Sequence, residues 1–244
     1  MRARLPFTLT GRVDRDAATR PRRSWQADPD TPVEQRWNTN IQLHPVLLDA
    51  LPDPCGRVLD AGCGDGVLTW QLADRCASVL AVDVDGPAVE RTRAVVAGRE
   101  HVEVVEADVM TADLAPASFD AVVSVAVLHH LGTRPGLIRL ASLVAPGGVL
   151  GVIGFARTRS GYDLAHDVVG TVAARALRRR RKVWACQAPV ADVQDSYTEV
   201  LRGATLLLPG VRYRRHTLFR YSLVWTRPDD WEPPDRTASR CQAP

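Results

Sequence analysis

The sequence predicts an α/β domain built on a doubly wound, largely parallel sheet, and three observations carry that expectation. Arg57-Val58-Leu59 reads as the end of a short buried strand, Gly62, Gly64 and Gly66 follow at every second position, and Val67-Leu68-Thr69-Trp70-Gln71-Leu72 returns to helical spacing. Strand, glycine turn, helix is the geometry of a nucleotide site, because glycine adopts backbone angles that a Cβ resists and lets a ligand approach the main chain. Further short apolar stretches at Val79–Asp83, Val102–Val105 and Val149–Phe155 alternate with helical patterns, as βαβ units do. Finally, Phe119 to Leu128 is a nearly continuous apolar run, which suits a central strand buried on both faces.

Composition sets the outer bounds. A chain of 244 residues with 45% hydrophobic side chains can bury one sizeable core. No apolar run reaches the roughly 20 residues that span a bilayer. Met1 to Asp16 holds arginines but no apolar segment of the signal-peptide kind. The five cysteines, Cys55, Cys63, Cys76, Cys186 and Cys241, are scattered without C-x-x-C spacing, so no disulfide frame and no metal site is expected. A reducing cytoplasm is the plain reading, with no membrane partner. A net charge of +3 is too mild to name nucleic acid as a partner.

In chain order, residues 1–36 read as a mobile arm or lid rich in Arg, Asp, Thr and Pro. Trp25 and Trp37 stand out there, since an indole in a polar segment docks on a core or on a ligand. Asn38, Asn40 and His44 precede a short helix with Pro45 in its first turn and Leu47, Leu48 and Leu51 on its apolar face. These polar residues either line the ligand cavity or serve as caps and loop hydrogen bonds. The domain proper is expected over 37–227, with 228–244 as a flexible tail.

The glycine spacing separates two kinds of ligand. A dinucleotide fingerprint is G-x-G-x-x-G. Here the third glycine comes one residue early, and Asp60 lies two residues before the first. A pyrophosphate has little use for a carboxylate there, whereas a cationic ligand does. Asp83 ends the second strand some twenty residues on, where an acid accepts the ribose hydroxyls of a nucleoside.

The stretch D-A-G-C-G-D-G at 60–66 resembles the first motif of the class I S-adenosylmethionine (SAM)-dependent methyltransferases. F-D-A-V-V-S-V-A-V-L-H-H-L at 119–131 and L-x-x-L-V-A-P-G-G-V-L at 140–150 resemble their later motifs, especially those of the small-molecule branch. The match runs in order across residues 57 to 156. It implies a Rossmann-like seven-stranded sheet of order 3-2-1-4-5-7-6 with the last strand antiparallel, and SAM as cofactor. It further implies cofactor contacts from Asp60, Ala61, Gly62, Cys63, Gly64, Gly66, Asp83, Val84, Asp108, Val109 and Val125, with Asp108 at the adenine amino group.

The second half of the chain departs from the repeat, and 157–210 is the expected specificity region. Leu164, Val168, Val172 and Ala176 form one helical stripe, ended by Arg178-Arg179-Arg180-Arg181-Lys182. That run is either a solvated helix end or a phosphate-contacting patch. Asp195 or Ser196 can cap a further helix, and 211–216 with 219–225 alternate as a closing hairpin.

Methyl transfer from a sulfonium is an in-line displacement in which positioning alone can supply roughly 7–11 kcal/mol. A dedicated base is therefore optional, and His129 or His130 is the candidate. Trp37, Asn40, His44, Phe155, Arg157, Tyr162, Trp184 and Tyr197 are the candidate substrate residues. The expected activity is methylation of a small organic acceptor on O, N or C by a monomer or homodimer. An RNA or protein methyltransferase, or a non-catalytic binder on the same fold, is the alternative.

Overall fold

The computed structural model describes residues 31–180, 183–184 and 193–234. The expectations placed on residues 1–30, Trp25 among them, on Arg181 and Lys182, on Cys186 and on 235–244 lie outside these. Seven strands form one sheet: β1 Cys55–Ala61, β2 Cys76–Asp83, β3 Val102–Glu106, β4 Phe119–Val125, β5 Val144–Gly154, β6 Arg212–His216 and β7 Arg220–Thr226. Their spatial order is β3-β2-β1-β4-β5-β7-β6, with β7 antiparallel to both neighbours and the first five strands parallel. This is the order and the antiparallel last strand that the resemblance implies.

Helices cover both faces because β1, β4 and β5 are apolar on both. On one face lie α1 His44–Leu48, α2 Val67–Ala73 and α3 Gly86–Val95. Leu43, Leu47, Leu48, Leu68 and Leu72 pack there with Val58, Val123 and Ile153. Burying a side chain such as Leu47 contributes about 1.5–3 kcal/mol. The other face carries α5 Thr133–Leu143 and α7 Tyr197–Leu207, whose Leu137, Leu140, Val200 and Ala204 meet Leu59, Val122, Leu150 and Leu223. Ser196 caps α7 through a capping box with Glu199.

Four local differences from the sequence reading have physical causes. The fourth strand ends at Val125 and not at Leu128, because Ala126 turns the chain at φ 59° and Leu128 drops into the core at the start of the single-turn helix α4, Leu128–Leu131. An apolar run cannot distinguish a buried strand from a buried turn. Strand β5 begins at Val144, five residues before the expected Val149, since Val144 already pairs with Phe119 before a shift in register. Thr133 reads in the sequence as the cap of a helix with Pro135 near its start, but it does not cap α5. It is the helix's first residue, and its hydroxyl bonds Asp195 Oδ2 instead.

The fourth difference lies in α6, Gly161–Arg180, where the stripe Leu164, Val168 and Val172 faces outward at 61%, 60% and 67% exposure. The inward face holds Asp163 and Asp167, which Arg215 of β6 grips at 2.8 and 3.0 Å, and Gly170, where a Cβ would lie 2.2 Å from the carbonyl oxygen of Thr217. A nearly buried arginine needs its carboxylates, and that requirement orients the helix. At the chain's end, Trp231 is buried against Trp225 and donates to the Leu207 carbonyl at 3.0 Å. The packed body therefore runs past residue 227, where a free tail was expected.

Candidate functional site

The carboxyl ends of β1, β2 and β4 open into one cavity of about 520 Å³, within the range of small-molecule sites. The glycine turn forms its floor. Gly62, Gly64 and Gly66 all have positive φ, at 84°, 57° and 75°. A Cβ on Gly62 would lie 2.1 Å from Val127 Cγ2, so the turn after β4 closes directly on the turn after β1. A Cβ on Gly64 would meet nothing within 4 Å, since that residue lines the open cavity.

Three acids mark this end. Asp60 is buried, accepts from Thr69 Oγ1 at 2.7 Å and forms no ion pair among the described residues. Burial pushes its carboxyl up to about 7; the Thr69 hydrogen bond opposes this and the charge of Asp83 adds to it. Asp83 accepts from the Gly64 and Asp85 amides at 2.9 and 3.0 Å, which ties the tip of β2 to the glycine turn. Asp108, exposed at the cavity rim, accepts from the Met110 amide at 2.9 Å. Cys63, Val84, Val109 and Val125 also line the cavity. Ala61 and Gly66 do not. Ala61 is buried with its carbonyl on Ser124 Oγ at 2.8 Å, and Gly66 is the N-cap of α2 against Thr92.

The other end is built from distant stretches. His129 and His130 of α4 lie with ring centroids 4.0 Å apart, and His129 is 4.3 Å from the ring of Phe155. Nδ1 of His129 is buried without a hydrogen-bond partner among the described residues. Burial, then His130 and then Arg220 lower the His129 imidazole to about 4. Asn40 accepts from Arg220 Nε at 2.6 Å, and His44 Nδ1 meets Gln71 Oε1 at 2.7 Å. Burial lowers the His44 imidazole to about 4, so both histidines are neutral at pH 7. Trp184 lies over the glycine turn: its indole N–H donates to Asp65 at 3.2 Å, its backbone N–H donates to the Trp37 carbonyl at 2.6 Å, and Arg36 stacks on its ring at 4.2 Å.

Of the predicted substrate residues, Asn40, His44, Phe155 and Trp184 line this cavity. Trp37, Arg157 and Tyr197 do not. Trp37 is buried with its indole N–H on Gln42 at 2.8 Å, and Arg157 is exposed beside Ser196. Tyr197 packs in the core under Arg215 and edge-on to Tyr221. The side chain of Tyr162 lies outside those described. Sequence reasoning missed Arg220, Asp65 and Asp85. Arg220 sits in a hairpin whose alternation gives no hint of which residue turns to the cavity. Asp65 is inside the glycine motif, where the acid itself was the available signal.

A family model for methyltransferase domains matches residues 58–148. Over 200 residues, 80% of this chain and the whole of the relative, the sequence is 40% identical to an uncharacterized methyltransferase of Mycobacterium tuberculosis. It is 36% identical over 157 residues to a ubiquinone biosynthesis O-methyltransferase of Xanthomonas campestris, covering 61% of this chain and 62% of that one. Among solved structures, the N-methyltransferase NodS of Bradyrhizobium japonicum in complex with S-adenosyl-L-homocysteine (SAH) shares the fold at TM-score 0.54. It is 20% identical, over 84% of this chain and 91% of that one. The chain belongs to the class I SAM-dependent methyltransferases. SAM is its cofactor.

The residues present fit that group on their own chemistry. A buried carboxylate without a cation of its own, raised by burial and by a second acid, favours a positively charged ligand such as an ammonium. Gly64 leaves open space on the cavity side, and Asp83 stands at the tip of the second strand.

Proposed function

We propose that this enzyme methylates a small organic acceptor. The observation that carries the reading is the single cavity, which joins the acids of the glycine turn to the group His129, Phe155, Arg220 and Asn40. Such a recess takes a compact molecule more readily than a folded macromolecule. A ubiquinone biosynthesis O-methyltransferase is among its relatives. The ribosomal RNA small subunit methyltransferase C of Chromohalobacter salexigens is matched over only 34% of its length. Soluble, cytoplasmic operation belongs to the same reading.

When bound, SAM supplies an electrophilic methyl on a sulfonium. The chain's own work is to hold and to deprotonate. Asp60, Asp83 and Asp108 bind the cofactor, and Gly62, Cys63, Gly64, Val84, Val109 and Val125 shape its bed. Trp184 and Arg36 cover the turn and exclude water. His129, neutral at pH 7 and lining the cavity beside Phe155, accepts the proton that an O–H or N–H acceptor gives up.

The test is a calorimetric titration with SAH followed by an acceptor screen for SAH release. Asp83→Ala removes two amide anchors and a ligand contact, and SAH affinity is expected to fall about 100-fold, on about 1.5–3 kcal/mol per charged hydrogen bond. Methyl transfer to RNA or protein, with none to small molecules across the screen, would overturn the proposal.

A further inference from the structure

Arg220 is a cation without a counter-ion. It is half-buried at the start of β7 and lines the cavity, yet among the described residues it forms no ion pair. Its hydrogen bonds to the described residues go to neutral oxygens: Nε to Asn40 Oδ1 at 2.6 Å, Nη2 to Thr39 Oγ1 at 3.2 Å and Nη1 to the Phe219 carbonyl at 3.1 Å. Its plane lies over the Phe155 ring, 4.9 Å from the centroid. A guanidinium has five N–H groups. Three are used in this way, and the remainder are free for a ligand.

Arg215, only five residues away, shows the usual arrangement. It is nearly buried on the same hairpin and holds Asp163 and Asp167 at 2.8 and 3.0 Å. A desolvated charge is costly unless paired, and desolvation already makes Arg220 easier to deprotonate than an ordinary arginine. The anchors on Asn40 and Thr39 fix the fork in one place, which is what bidentate recognition of a planar oxyanion requires.

Among the described residues that line the cavity, Arg220 is the only lysine or arginine. The cavity is therefore bipolar. Asp60, Asp83, Asp85 and Asp108 gather at the ends of β1, β2 and β3, and Arg220 stands on β7, with β4 and β5 between β7 and β1. At about 4.8 Å per strand, that separation is roughly 14 Å.

We propose that Arg220 receives a ligand carboxylate, and that the methyl acceptor carries it. This rests on the small-acceptor reading and names its substrate class: a compact organic acid whose anion sits on Arg220 and whose apolar body meets Phe155. The cofactor's own α-carboxylate is the second source of the same chemistry, and the experiment separates the two.

Calorimetry on the full chain with SAH and with 5′-methylthioadenosine, which lacks the amino-acid moiety, forms the first arm. For wild type and Arg220→Gln, SAH affinity is expected to agree within about 3-fold. A loss of 10-fold or more for SAH, with 5′-methylthioadenosine unchanged, would assign Arg220 to the cofactor and overturn the acceptor claim. Absence of any SAH binding by wild type would instead defeat the methyltransferase reading itself.

The second arm uses SAH-saturated protein and a panel of aryl and alkyl carboxylic acids, each paired with its carboxamide, read by thermal shift and ligand-observed NMR. At least one acid is expected to bind 10-fold or more tightly than its amide, and Arg220→Gln to abolish that preference. Arg220→Lys should restore part of it. Asn40→Asp leaves Arg220 anchored but gives it an internal carboxylate, and should also abolish the preference in a folded protein. Equal response to acids and amides across the panel, no response included, would overturn the proposal.

Discussion

The acidic end of the cavity, where we place the cofactor, and the opposite end, where we place the acceptor, are assembled by different means. The first is made by loops that leave successive strand tips within residues 60–127, and hydrogen bonds from the main chain hold it: the Gly62 and Cys63 amides on the Val82 carbonyl at 2.8 and 3.1 Å, and the Gly64 amide on Asp83 at 2.9 Å. The second collects Asn40, His129, Phe155 and Arg220 from stretches up to 180 residues apart, joined by side-chain hydrogen bonds and ring contacts. A site held by main-chain geometry tolerates few substitutions. A site held by side chains can be refitted to another acceptor without disturbing the turn beneath it.

Substitution at the acceptor end should cost turnover and spare the fold. His129→Gln is expected to lower kcat by about 10²–10⁴-fold, the usual range for a lost general base, while SAH affinity and melting temperature hold. Because burial, His130 and Arg220 keep His129 near 4, below its ordinary 6.5, it is neutral above about pH 5. A wild-type kcat profile should thus show no falling limb from this group between pH 8 and 6. A steady-state profile with such a limb, absent from His129→Gln, would show that the acceptor end is more polar than its packing.

At the cofactor end, the expected effect is on stability as well as binding. Gly62→Ala forces a Cβ into a left-handed conformation at φ 84° and to within 2.1 Å of Val127 Cγ2. The conformation costs about 1–2 kcal/mol and overpacking about 1–3 kcal/mol. Urea unfolding should therefore show a loss of roughly 2–5 kcal/mol, with SAH binding lost too. A variant as stable as wild type would mean that the two turns are not locked together.

A third effect is a slope with pH. Asp60 is held at about 7, above its ordinary 3.8, mainly by burial. A raised acid contributes stability that is present below the unfolded value and lost as pH rises through the folded one. Cofactor-free wild type should thus weaken relative to Asp60→Asn from about pH 4 to 7 and level off above. SAH affinity should move the opposite way, rising as Asp60 ionises against the ligand's ammonium. Parallel pH series of unfolding and calorimetry check both signs, and a flat difference would mean that Asp60 is paired in solution.

Much of this was legible in advance, for reasons that differ by residue. Asp60, the glycines and Asp83 could be read because each sits at a fixed offset from a strand end, so local spacing determines where it points. Asn40 and His44 were legible as a polar cluster before a helix, without the partner that decides their role. Arg220 was not legible: nothing in Arg212–Thr226 separates the arginine that grips Asp163 and Asp167 from the one that turns to the cavity. Trp37, Arg157 and Tyr197 carried plausible chemistry, and only packing moved them to the core or the surface. The outward stripe of α6 belongs here too, since a 3.6-residue period marks a face without saying which way it looks.

The sequence by itself determined the acidic, glycine-floored end of the cavity, because strand and turn signals act over a few residues, and its motifs carried the family resemblance that implies the strand order. The tertiary structure decided where the chain turns after β4, which arginine of the closing hairpin turns to the cavity, and how Trp184 comes to lie over Asp65. Those outcomes depend on contacts between residues far apart in the chain, whose geometry exists only once the sheet has brought them together.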